Sequence, residues 1–252
     1  MNNIFRVCIP VCNILNETKS ELQRQMLFGD GFKVTKFIEG WAYGKRISDD
    51  YSGVVAEDNL SNWVKPTDQV CSLGAHIYLD PNIKTVPLVH LPYQSEITVI
   101  NKTNSFVELD SGVYIPQMQI EPIANKKNDF VKVAERYLGI PYLWGGNSQY
   151  GIDCSGLISA ALRGAGLNCP GDSIEQEADL GYLIQPNAPL LRGDLIFWSG
   201  HVGLMLNDSS MLHANAHHMA VAFEPLKAAR DRILKNGGGL ITAIKRIGIG
   251  AS

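Results

Sequence analysis

Three side chains in the second half of the chain have the types and surroundings that nucleophilic catalysis needs. Cys154 sits in Gly151-Ile152-Asp153-Cys154-Ser155-Gly156-Leu157-Ile158, after a loop and at the start of a helix read from about Ser155 to Ala165. The free amides and positive dipole end of a helix favour thiolate over thiol, and the thiolate is the nucleophile. Amide hydrolysis through sulfur also needs a group that takes and returns a proton near neutrality, which is imidazole chemistry. His201 opens a strand just after Gly200, and His213 lies 12 residues later on what reads as the neighbouring antiparallel strand. Hairpin pairing of those strands sets the two rings side by side, with His213 orienting His201. Taken singly, each residue reads as an inert buried thiol or an ordinary histidine; the joint arrangement favours catalysis.

The elements that must position these groups are legible around them. Asn128 or Asp129 caps a helix whose apolar positions Phe130, Val133, Ala134, Tyr137 and Leu138 keep helical spacing, closed by Gly139 and Pro141. The second helix stops at Gly166, and three strand-like runs follow, over 194–198, 201–206 and 210–214. Helices first and then a sheet make this part α+β. Residues 20–120 differ in character: short strands broken by Gly29-Asp30-Gly31, Asp49-Asp50 and Asp80-Pro81-Asn82. Two stretches there share a plan of strand and turn placement, and the spacing predicts two small all-β barrels. The polar, aperiodic run 121–128 is read as a linker. The expected domains are therefore 1–66, 67–124 and 125–252.

Composition narrows the function classes. The chain has 252 residues, 45% hydrophobic and 19% charged, an ordinary globular balance. A formal charge of −3, with 10 basic against 14 acidic groups up to residue 124 and 12 against 11 after it, leaves no electrostatic footprint for nucleic acid. Five cysteines are an odd number in a chain large enough to fold without staples, which argues against a disulfide scaffold. Met1 to Leu15 lacks the basic start and small-residue cleavage site of a signal peptide and reads as a first strand; no window is a membrane span. The expected location is the cytoplasm. Metal ligation is not expected: Cys8 and Cys12 have no second pair downstream, and His213 with His217 lies on strand and loop with no glutamate between them.

Pro141-Tyr142-Leu143-Trp144-Gly145-Gly146, Asp153-Cys154-Ser155-Gly156-Leu157, Gly193-Asp194-Leu195-Ile196-Phe197-Trp198, Gly200-His201-Val202-Gly203 and His213-Ala214 together resemble, in order and spacing, the NlpC-type cysteine peptidases of bacterial cell walls. The resemblance covers about residues 125–250; residues 1–120 resemble the bacterial SH3-like barrels that precede this domain in many members. It implies a papain-like catalytic fold, no cofactor, and hydrolysis of amide bonds in peptidoglycan stem peptides. It also implies roles: Cys154 as nucleophile, His201 as general base and then acid, His213 as its orienting partner. The Tyr142 hydroxyl and a backbone amide near Cys154 would hold the oxyanion. Asp153 and Tyr51 would meet the free amine of a terminal L-alanine, and Ser155 and Ser173, the latter in the following loop, the D-glutamate carboxylate.

The expected function is thus a γ-D-glutamyl-diamino acid endopeptidase, with meso-diaminopimelate as the diamino acid, acting on recycled wall peptides. A wall amidase or cross-bridge hydrolase with the same triad, and a non-catalytic wall-binding protein, stand as alternatives. The oligomeric state is left open. Trp144 either lines a cleft or packs under the glycine turn. His76 and His90 are read as structural, and Gly237-Gly238-Gly239, lacking the lysine and hydroxyl of a phosphate loop, as a turn.

Overall fold

The polar run after residue 121 separates two compact units, Met1–Lys126 and Lys127–Ser252. A computed structural model of the chain describes residues 3–103, 105–185 and 188–248. No helix among the described residues is long and apolar enough to cross a membrane.

In the first unit, alternation of apolar and polar residues produces short antiparallel strands. Strands β1 (Ile4–Val7), β2 (Val11–Leu15), β3 (Leu22–Leu27), β4 (Gly31–Ile38), β5 (Trp41–Arg46), β6 (Ser52–Ala56) and β7 (Leu60–Asn62) form one sheet in the order β3-β2-β6-β5-β4-β1-β7. Val7, Ile14, Met26, Phe32, Ala42 and Val55 fill its core. Farther on come β8 (Asp68–Val70), β9 (Gly74–Ile77), β10 (Val89–Pro92), β11 (Glu96–Ile97), β12 (Val99–Lys102), β13 (Phe106–Leu109), β14 (Tyr114–Pro116) and β15 (Ile120–Pro122). They pair as three small sheets over a second core that includes Val70, Leu91, Val107 and Ile115.

Closed barrels, expected for both segments, are not what this pairing describes: β3 and β7 end an open series, and the later strands divide among separate sheets. In the second segment, strands of two to four residues carry too few ladder bonds to run on around a closed cylinder. The two segments are tied within one unit by Arg6–Asp110 at 2.7 Å and by the Glu96 amide donating to the Phe28 carbonyl at 2.8 Å. Gly29 makes that approach possible, because a Cβ there would stand 2.0 Å from the Glu96 carbonyl oxygen. His76 and His90 face each other across β9 and β10 with ring centroids 4.9 Å apart.

The second unit begins with α1 (Phe130–Glu135), capped by Asp129, whose carboxylate accepts from the Lys132 amide at 3.1 Å. The hairpin β16 (Asn147–Ser148) and β17 (Gly151–Ile152) leads into α2 (Cys154–Gly164). Gly156, Ser159, Ala160, Ala161 and Gly164 are small, so α2 can be buried on almost all sides. α3 (Ser173–Asp179) lies where sequence reading placed a loop: a turn of seven residues is too short to show helical periodicity. The remaining elements are β18 (Tyr182–Leu183), β19 (Leu195–Trp198), β20 (His201–Met205), β21 (Ser210–Asn215), β22 (Ala220–Pro225), α4 (Leu226–Lys235) and β23 (Ala243–Arg246). Their sheet has the order β18-β23-β19-β20-β21-β22, and α2 packs on β20 and β21. This is the expected α+β arrangement of helices followed by sheet.

Candidate active site

Cys154 is the first residue of α2 and is 8% exposed. Asp153 caps that helix. Its Oδ1 accepts from the Gly156 amide at 2.6 Å and the Ser155 hydroxyl at 3.1 Å, and its Oδ2 from the Gly145 amide at 2.8 Å. One carboxylate therefore fastens the glycine turn to the first turn of the nucleophile's helix. Gly156 permits the contact, since a Cβ there would lie 2.3 Å from the Gly146 carbonyl oxygen. Gly145, at φ +71, supplies the left-handed turn. Trp144 is 67% exposed, which removes the reading that it packs beneath this turn.

Tyr142 is held at the backbone by the Met219 carbonyl, which accepts from its amide at 2.9 Å. Burial, and then the negative charge of Cys154 and Asp153, pushes its hydroxyl up to about 12, so it stays a proton donor throughout the neutral range. Ser155 is 5% exposed with its hydroxyl on Asp153, and Ser173, 8% exposed, opens α3. Tyr51 belongs to the first unit, where it packs against the core of the seven-stranded sheet.

Pairing of β20 with β21 brings the two imidazoles together as expected: His201 Nε2 lies 2.9 Å from His213 Nδ1. Beyond them the structure shows two residues that sequence reading missed. His213 Nε2 is 2.9 Å from Glu224 Oε2, and Arg232 grips the same carboxylate, Nε to Oε1 at 3.1 Å and Nη2 to Oε2 at 2.6 Å. Glu224 stands on β22 diagonally across from His213, which pairs with Ala222. In the sequence Glu224 merely ends the apolar run Ala220-Val221-Ala222-Phe223, with Arg232 eight residues on, and neither residue carries a signal of its partner.

These contacts determine where the protons sit. Burial by itself would raise the Glu224 carboxyl, but hydrogen bonds and charge from Arg232 and His213 outweigh it and hold it below its ordinary value. An ionised carboxylate only accepts, so His213 Nε2 carries the hydrogen and Nδ1 presents its lone pair. His201 must then donate from Nε2, which leaves His201 Nδ1 as the free base. Burial, and then the charges of His213 and Arg232, lowers His201 to about 3. Burial likewise lowers His213 to about 4, with Arg232 and His218 adding to the fall and Glu224 opposing it. Both rings are neutral at pH 7, the form in which His201 can take a proton.

Below about pH 6.5 unfolded histidine is protonated while these two rings are not, so the unfolded chain binds more protons and stability falls with acid. The thermal midpoint is expected to drop progressively from about pH 6.5 towards pH 4, and kcat/KM to keep its value from about pH 7 to about pH 5. An activity limb centred at an ordinary histidine pKa, in a rate profile taken together with thermal melts, would contradict it.

The pair at a spacing of four, His213 and His217, is not the group the fold assembles: the ligand atoms of His213, His218 and Glu224 lie within 4.8 Å of one another. In that trio Glu224 is already engaged by Arg232 and His213.

A thiol at a helix start and a buried imidazole pair within one α+β unit are the groups that a cysteine peptidase uses. Residues 139–231 match the model of the NlpC/P60 family. The chain is similar to the gamma-D-glutamyl-L-lysine dipeptidyl-peptidase of Bacillus subtilis (strain 168), 26% identical over 223 residues, covering 78% of this chain and 73% of that protein. The protein of the same name from Bacillus cereus (strain ATCC 10987 / NRS 248) is 27% identical over 209 residues, and there the match spans 59% of the relative's length and 74% of this chain. Among solved structures, an NlpC/P60 family protein from Bacillus cereus ATCC 10987 shares the fold with a TM-score of 0.79 at 18% identity, over 96% of this chain and 99% of that one.

Proposed function

We propose that this protein is a cysteine endopeptidase that cleaves the γ-D-glutamyl bond to a diamino acid in peptidoglycan stem peptides bearing a free amino-terminal L-alanine. The observation that carries the reading is the hydrogen-bonded series Arg232, Glu224, His213, His201, set in an NlpC/P60 domain whose thiol begins a capped helix. The names of the two Bacillus relatives support the bond class, lysine and meso-diaminopimelate both being diamino acids.

In this reading His201 Nδ1 takes the Cys154 proton, sulfur attacks the γ-carbonyl, and the Tyr142 hydroxyl with a backbone amide near Cys154 holds the oxyanion. His201 returns the proton to the departing amine, and water then releases the acyl group. Asp153 supplies negative charge for the L-alanine ammonium while capping α2, and Ser155 and Ser173 serve the D-glutamate carboxylate. The segments 1–66 and 67–124 are taken as two all-β modules accessory to the reaction, and the reaction as recycling of wall peptides in the cytoplasm.

The test is mass spectrometry of products from L-Ala-γ-D-Glu-meso-diaminopimelate with a free and with an acetylated amino terminus. Release of L-Ala-D-Glu from the free peptide alone is expected. Equal cleavage of the acetylated peptide removes the amine requirement, and cleavage of neither under reducing conditions removes the bond assignment.

A further inference from the structure

A pocket of about 400 Å³ opens beside His201, with Trp198, Asn215, His217, Arg232 and Asn236 among its walls. Its volume suits a single small ligand. Among the described residues that line it none is acidic, and Arg232 is the charged one. The Arg232 guanidinium turns Nε and Nη2 to Glu224, and Nη1 makes no hydrogen bond to a described residue. A carboxylate is the chemical group that a guanidinium edge binds best.

The position of the pocket says which part of a substrate would reach it. The acyl half must sit at Cys154 and Tyr142, whereas the leaving amine has to come within hydrogen-bond reach of His201 to receive its proton. Whatever is attached to that amine therefore lies on the imidazole side, where this cavity is.

We propose that the pocket receives the amino acid released by cleavage, and that Arg232 Nη1 binds a carboxylate of it. This assignment rests on the bond proposed above. It deepens that proposal by naming what the leaving side recognises: a free carboxylate on the diamino acid, and so a short peptide end in preference to a longer or amidated one. A second consequence is electrostatic. The positive charge of Arg232 disfavours protonated His201, and a bound carboxylate offsets that charge when His201 holds the proton.

Two carboxylates could be the one bound: the group next to the leaving amine, or the distal group that meso-diaminopimelate has and lysine lacks. The experiment measures kcat/KM of wild type and Arg232→Gln on L-Ala-γ-D-Glu-L-Lys as free acid and as carboxamide, and on the meso-diaminopimelate peptide amidated next to the leaving amine. Wild type is expected to prefer a peptide with an available carboxylate by about tenfold to a hundredfold, the worth of one charged hydrogen bond. In Arg232→Gln that ratio should fall to about one, while all rates decline because Glu224 loses its clamp; the ratio, not the rate, reports binding. A preference confined to the diaminopimelate peptide assigns the distal carboxylate; one already present with lysine assigns the group beside the amine. The same ratio in both proteins, or no preference in wild type, overturns the proposal whether or not the variant folds well.

If wild type cuts none of these peptides, the bond assignment fails separately. Calorimetry with meso-diaminopimelate then decides the pocket: saturable binding to wild type that Arg232→Gln loses supports it, and absence of binding to wild type overturns it.

Discussion

Cys154→Ala is expected to lower hydrolysis of the proposed substrate, L-Ala-γ-D-Glu-meso-diaminopimelate, by about a thousandfold or more, the order of loss seen when a nucleophile is removed from a site whose other parts remain. The residual rate is what binding and oxyanion donors achieve alone. The fold should be nearly unaffected. The helix cap belongs to Asp153, whose carboxylate accepts from Gly145, Ser155 and Gly156. Alanine keeps the helix propensity of this position, so far-ultraviolet dichroism and the thermal midpoint serve as the control. Product quantification by mass spectrometry makes the measurement, and full hydrolysis by Cys154→Ala would falsify the nucleophile assignment.

Glu224→Leu has the second-largest expected effect, although the residue touches neither the thiol nor the substrate in the proposed mechanism. Removing the carboxylate leaves the His213 Nε2 hydrogen and the Arg232 guanidinium without the acceptor they share. His213 can then take the other tautomer, with hydrogen on Nδ1 facing His201 Nε2, and the base nitrogen of His201 is no longer specified. The expected loss is about a hundredfold in kcat with KM little changed, because an orienting group acts on the chemical step and not on binding. Stability should fall by about 1–3 kcal/mol, the cost of leaving a buried polar group unsatisfied.

Histidine ¹⁵N spectra give the decisive readout, since loss of packing alone would not move the hydrogen from Nε2 to Nδ1 of His213. Glu224→Gln should restore part of the rate: its carbonyl oxygen can still accept from His213, but it lacks the charge that holds Arg232. An unchanged kcat in Glu224→Leu, or an unchanged tautomer, shows that the carboxylate serves the fold alone.

Local chemistry made much of this protein legible in one dimension. The capped start at Asp129, the glycine stop at Gly166, the strand from His201 and its partner carrying His213 are all statements about neighbours in sequence, and the structure has them within one or two residues; the first helix ends earlier than read, at Glu135, with turn rather than helix leading to Gly139. The proximity of the two rings was legible for the same reason, since a hairpin converts sequence spacing directly into distance.

What tertiary structure decided are matters of partner choice. Sequence reading stopped at Ala214 and so omitted β22; nothing in a lone acidic residue announces that it will lie 2.9 Å from the buried His213 imidazole. Asp153 was read as a ligand for substrate, and the structure shows a carboxylate that also joins the Gly145 turn to α2, contacts that need the two loops to meet. Whether strands of the first unit close on themselves is likewise a question of which edges pair, and here they form open sheets. The physical reason is the same in each case. Helix caps, turns and hairpins are set by interactions a few residues long, whereas a proton relay, a pocket wall and a sheet edge are set by residues far apart in sequence, whose types alone do not say which of them will be brought together.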